Sequence, residues 1–220
     1  MMKRTDYFGN PWIGMFVKTN DSITLIPRDS PGKVEGAMAP LGTEVKRVSV
    51  GESNLLGIYV AMNNSGAVLP NIASDDEVKG IKNLGINVYH SKGSHNANGN
   101  NIAVNDKGGI INPNVSPADR RKMEDALGVE LVPMRITGYS TVGSSCIATN
   151  GGFLAHYRAS EEELKEIGSV LKVPGLKGTV NTGVGFVAFG VVVNSNGYVA
   201  GRDTTAFELG RVVEALGLVE

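Results

Sequence analysis

Apolar positions along the chain alternate between two spacings, and the switch recurs at a regular interval. Short apolar runs flank the turn sequences Asn63-Asn-Ser-Gly66, Asn105-Asp-Lys-Gly108, Asn150-Gly-Gly152 and Asn194-Ser-Asn-Gly197. Each such run predicts a strand, a tight turn and a second strand, with the turn residues supplying the positive φ that hairpins demand. After each hairpin the apolar period lengthens to about 3.6. Ser74-Asp-Asp-Glu77 precedes Val78, Ile81 and Leu84, and Ser160-Glu-Glu-Glu163 precedes Leu164, Ile167 and Leu171. Both read as capping boxes opening an amphipathic helix, and Thr205 with Glu208 before Leu209, Val212, Val213 and Leu216 is a third. Ser30 and Ser116 are each followed by Pro, a residue suited to a first helical turn. Gly42, Gly85, Gly128 and Gly217 stand where helix C-terminal glycines belong. The fourth unit lacks that glycine, and the first has Lys33 where a capping box wants an acid.

The caps Ser30, Ser74, Ser116, Ser160 and Thr205 are 44, 42, 44 and 45 residues apart. Eight positions before them stand Ser22, Gly66, Gly108, Gly152 and Gly197, and three before those stand Thr19, Asn63, Asn105, Thr149 and Asn194. A further strand follows each helix, as in Val45–Val50, Ile86–Tyr89 and Val129–Ile136, so the unit reads as ββαβ. One helix of about three turns cannot bury its apolar stripe alone, and no copy has the polar face of a solenoid cap. The expectation is therefore one α/β domain over 1–220, a five-fold pseudosymmetric ring with strands around the axis and helices outside. Its repeats span approximately 9–50, 55–92, 99–138, 144–180 and 185–220. The N-terminal strand and the Leu218-Val-Glu end are expected to complete the ring together.

Glycine, at 29 of 220 residues, is about twice its usual share of ~7%. That excess fits many short strands and close backbone approaches. The balance of 21 basic and 22 acidic residues excludes a broadly basic nucleic-acid coat. The single Cys146 excludes an intramolecular disulfide framework and suits a reducing cytosol. No apolar run follows the basic start MMKRTDYFGN, so a signal peptide is not expected. The uncharged run Gly183–Val193 is too short to span a membrane and reads as a buried strand. Neither a dinucleotide fingerprint, a phosphate loop, nor metal-ligand spacing of His90, His95 and His156 is present. The three histidines read as polar surface residues, and no cofactor or metal is expected.

On this frame the segments Leu69-Pro-Asn, Asn105-Asp-Lys-Gly, Thr141-Val-Gly-Ser-Ser-Cys-Ile-Ala-Thr-Asn150, Gly178-Thr-Val-Asn181 and Asp203-Thr-Thr-Ala-Phe-Glu-Leu resemble the archaeal and eukaryotic translation initiation factor six family. The resemblance covers essentially the whole chain, which stops after Leu216-Gly-Leu-Val-Glu, as in the archaeal form. It implies the pentein fold and a non-enzymatic cytoplasmic role. A monomer would bind the intersubunit face of the large ribosomal subunit, near ribosomal proteins beside the sarcin-ricin loop with minor rRNA contact, and block the small subunit by bulk. A part in large-subunit biogenesis is implied as well. Neither DNA nor a membrane is an expected partner.

A ring gathers the hairpin tips at one end of its axis, which makes Asn63, Asn105, Asp106, Lys107, Asn150 and Asn194 the candidate ribosome-binding residues. The resemblance puts the position of Asn105 at a large-subunit protein, with the second-unit strand near Ile58 close by. The plain alternative is that turn asparagines serve only the turn. Cys146 raises a hydrolase alternative, because pentein enzymes modify guanidino groups with a Cys nucleophile; its strand-like run favours a buried core thiol. A small ligand in the axial channel is the third reading.

Overall fold

The hairpins form at the expected turns, and each gains a third strand that runs parallel to its second. The computed structural model describes residues 2–218. It begins with β1 (Met2–Thr5), then a first unit of α1 (Ile13–Phe16), β2 (Lys18–Thr19), β3 (Ile23–Pro27), α2 (Gly32–Ala37) and β4 (Glu44–Val48). The second comprises α3 (Leu56–Tyr59), β5 (Ala61–Met62), β6 (Gly66–Leu69), α4 (Asp75–Lys82) and β7 (Asn87–His90). The third comprises α5 (Asn98–Asn101), β8 (Ile102–Val104), β9 (Gly109–Ile111), α6 (Pro117–Leu127) and β10 (Leu131–Pro133). The fourth comprises α7 (Val142–Ser145), β11 (Cys146–Ala148), β12 (Phe153–His156), α8 (Glu161–Leu171) and β13 (Gly175–Gly178). The fifth has a 3-10 turn at Val187–Phe189, then β14 (Val191–Val193), β15 (Tyr198–Gly201) and α9 (Ala206–Ala215).

Five three-stranded sheets result, in a mixed α/β fold of pentein type. In the fifth sheet β1 supplies the outer strand, parallel to β15 from Met2 opposite Tyr198 to Thr5 opposite Gly201. The N-terminal strand thus closes the fifth sheet; of the expected partner segment Leu218-Val-Glu, Leu218 packs beside the fifth unit's core, and Val219 and Glu220 lie outside the described residues. The apolar core is also divided in five, and each part straddles a junction. Ala61 and Val68 of the second unit pack with Ile102, Ile111, Met123 and Leu127 of the third. Val192 and Val199 of the fifth pack with Ile13, Ile26, Val34 and Leu41 of the first. Each fully buried Leu or Ile contributes about 1.5–3 kcal/mol, and every unit obtains much of that burial from its neighbour.

Three differences from the sequence expectation have physical causes. A short helical turn precedes every hairpin, and the glycine at its second position in the first four units packs on the backbone of the preceding unit around the ring. The first unit is shifted by one residue: Asn20 bonds Ile23 across its tip as Asn63 bonds Gly66, and Pro31, not Ser30, stands at the N-cap of α2. The Ser-Pro pair imitates a cap one residue early. Of the run Gly183–Val193 only Val191–Val193 is strand, because a corner held by bonds between Val180 and Val184 and the 3-10 turn occupy the rest. The missing fourth C-terminal glycine is replaced by Lys172, which itself adopts φ 55°. In the first unit Lys33 bonds the Asp6 carboxylate at 2.7 Å rather than capping the helix.

Candidate functional site

The five tips converge on the axis, and each is built the same way. The first residue's main-chain N–H bonds a carbonyl three residues on, at 2.8–3.1 Å in Asn20, Asn63, Asn105, Thr149 and Asn194. Its side-chain oxygen accepts the N–H groups two and three residues on: Asn105 Oδ1 takes those of Lys107 and Gly108 at 2.9 and 3.0 Å. Asn63 and Asn194 do the same, and Thr149 does so with its hydroxyl. No tip residue has a positive φ. The expectation that asparagine is there for positive φ is therefore corrected: it is there to accept inside its own turn and to donate outside it.

The outward donation links the units. Asn63 Nδ2 donates to the carbonyls of Asn105 (3.1 Å) and Leu127 (2.8 Å), and Asn105 Nδ2 to those of Thr149 (3.0 Å) and Leu171 (2.9 Å). Asn194 Nδ2 reaches Asn20 and Leu41, both at 2.9 Å, and Asn20 Nδ2 reaches Asn63 at 3.1 Å. One amide thus ties a tip to the next tip and satisfies a carbonyl at the end of the next helix. The tip glycines complete the fit, since a methyl at Gly66, Gly108, Gly152 or Gly197 would strike the backbone carbonyl of Ala126, Val170, Ala215 or Pro40.

One residue further along each tip lies a second, outer ring of Asp21, Asn64, Asp106, Asn150 and Ser195. Asn64 Nδ2 bridges Asp21 (2.7 Å) and Asp106 (2.6 Å), and Asn150 Nδ2 bonds Asp106 at 2.6 Å. Main-chain N–H groups of Asp21, Asn64 and Asp106 bond Asn64, Asp106 and Asn150 side chains in turn, and Ser195 N–H bonds Asp21. Lys107 Nζ rests on the Asn150 carbonyl at 2.9 Å.

Asp106, Lys107 and Asn150 are therefore brought together near the axis with part of their surface open. Asn63, Asn105 and Asn194 stand beneath them, each 5% exposed or less, with the amide donors engaged inside the wheel. Ile58 is not in a strand. It lies half-buried on α3, at the opposite end of β5 from the tip. Asp21, Asn64 and Ser195 were not singled out by the sequence; the signal was their place one after each tip residue, hidden at Asp21 by the first unit's misplaced register.

Cys146 is 1% exposed, and burial pushes its thiol up, the opposite of an activated nucleophile. Its one polar contact is the Ile147 carbonyl at 3.9 Å. His156, expected at the surface, is 4% exposed, with burial lowering its pKa and its Nδ1 accepting from the Arg158 N–H. Among the described residues no three His, Cys, Asp or Glu side chains gather as a metal site, and no helix is long and apolar enough to cross a membrane.

Comparison with known proteins agrees with this architecture. The eIF-6 family model matches residues 2–215. A protein of Pyrobaculum aerophilum named Translation initiation factor 6 is 36% identical over 211 residues, 96% of each chain. One of the same name from Methanosphaerula palustris is 34% identical over the full length of both, and one from Saccharolobus islandicus is 36% identical over 98% of this chain and 99% of its own. With the family pattern running through all five units, the chain belongs to the eIF-6 family.

Proposed function

We propose that the chain binds the large ribosomal subunit on the surface facing the small subunit, tip face down, and prevents the two from joining by bulk. The observation that carries this is family membership across residues 2–215, with relatives named Translation initiation factor 6. The tip geometry suits the task. Its exposed groups are already fixed by bonds to neighbouring units, so docking orders few side chains and loses little entropy. Asp106, Lys107 and Asn150 make the direct contacts, and the Asp21 and Asp106 carboxylates, already hydrogen-bonded to Asn64, Asn150 and Ser195, lend the rim a negative charge that favours basic side chains of ribosomal proteins beside the sarcin-ricin loop, with rRNA as a minor contact. Asn63, Asn105 and Asn194 act from below by holding the tips in place. The protein works as a cytoplasmic monomer, and residence on the subunit, not turnover, sets its effect. A part in large-subunit maturation follows from the same contact.

Sedimentation with separated ribosomal subunits, followed by a joining assay at raised magnesium, tests this. Stoichiometric pelleting with the large subunit alone and fewer joined ribosomes are expected; no pelleting overturns the reading. The face is tested separately. Asp106→Arg with Lys107→Glu should weaken pelleting about tenfold, about 1.4 kcal/mol, while Ile58→Asp leaves it unchanged; the reverse result assigns docking to the opposite face.

A further inference from the structure

Beneath the tip rings the axis holds a cation with nothing to pair with. A cavity of about 60 Å³ runs along it, lined by inner-strand residues such as Met62, Val104 and Val193 and by the glycines of the helical turns, with Lys18 among them. Where the other units have Ala61, Ala103, Ile147 and Val192 before the last inner-strand residue, the first has this lysine. Among the described residues the Lys18 side chain makes no hydrogen bond and no ion pair, while its main chain pairs with Leu25. The carboxylates at the tip end do not reach it: those of Asp21 and Asp106 are taken up by Ser195, Asn64 and Asn150. Burial, the sole cause, holds the Lys18 pKa down to about 8. The amine therefore stays charged at neutral pH, inside a wall that does not neutralise it.

The inner strands supply further donors. Asn20, Asn63, Asn105, Thr149 and Asn194 bond across their hairpins. In an antiparallel pair the preceding residues then turn both N–H and C=O away from the partner strand, so each brings one donor and one carbonyl acceptor. Thr19, Met62, Val104, Ala148 and Val193 are those residues, and all five line the cavity. We propose that this axial cavity binds one small monovalent inorganic anion of halide size, held by the Lys18 ammonium and the free peptide N–H groups of the inner strands. One water needs roughly 10–15 Å³ of such space for its centre, so the cavity holds about four to six waters, or one halide with waters beside it.

The thermal midpoint of the full chain in sodium chloride, bromide and gluconate at equal ionic strength tests the site, because gluconate is too large for the cavity. At a halide concentration ten times its Kd the midpoint should stand about 4 °C above that in gluconate. Lys18→Met, which restores the apolar side chain of the other units, should remove the difference. Bromide should also give an anomalous scattering peak on the axis beside Lys18 Nζ in crystals of the unaltered chain, a result that does not depend on how the variant folds. Equal halide responses in the two proteins, or an axis holding only water in bromide crystals, would overturn the proposal.

Discussion

Glu208 performs two tasks with one carboxylate. It closes the cap of α9, accepting the Thr205 N–H at 2.8 Å, and it also accepts the N–H groups of Thr182 and Gly183 and the Thr179 hydroxyl in the preceding corner. Glu77 repeats this with Ser74, Gly51 and Glu52. Burial alone would raise both carboxyls, but the donors hold them below the ordinary value of 4.5. A depressed folded pKa means that this stability is complete above about pH 4.5 and is lost as pH falls through the folded values. The thermal midpoint should therefore fall on acidification below pH 4.5, and less steeply in a Glu77→Gln, Glu208→Gln double variant. Thr205→Ala should cost about 1 kcal/mol, read as a midpoint about 2–4 °C lower, with large-subunit pelleting unchanged in the folded fraction. The box itself was legible from Thr-x-x-Glu before an apolar stripe. Its second task was not, since the corner it serves lies about 25 residues away in the chain. The tip asparagines divide the same way: their positions were plain, but their amide partners belong to neighbouring units and leave no local mark.

At the scale of elements, the strands and outer helices followed from period and turn chemistry, while the short helical turns escaped because four residues carry no period. Their signature is a glycine at the second position, where Gly57 meets the carbonyl of Gly14 and Gly99 that of Gly57. These contacts join the helical turns into a closed ring at the end of the axis away from the tips. Adding one methyl there forces backbone apart. Gly57→Ala should destabilise by about 1–3 kcal/mol. Gly80→Ala makes the same chemical change inside α4, where nothing lies within 4 Å. It should stabilise by about 0.5–1 kcal/mol through helix propensity and a less free unfolded chain. Urea unfolding of the two variants should give opposite signs; equal signs would mean that the ring of helical turns is not tightly packed.

The whole wheel is bonded in one rotational sense, each tip amide donating to the next unit, with one gap. Thr149 keeps the bond to the helix end, Leu216 at 3.0 Å, but has no amide to donate to Asn194. Thr149→Asn should supply the missing link and raise stability by about 1 kcal/mol, measurable as a shifted urea midpoint with an unchanged slope. The five-fold frame was legible because turn and cap recur at near-constant distance; that the N-terminal strand takes part in closure was expected, but its pairing with β15 was not, because nothing in Met2–Thr5 names its partner. That seam orders events in time. During synthesis β1 emerges first and must wait unpaired until Tyr198–Gly201 follows. Until then Asp21 also lacks Ser195. An unfinished chain on a translating ribosome thus lacks the completed tip face, and the docking proposed for that face must wait until the last unit is made.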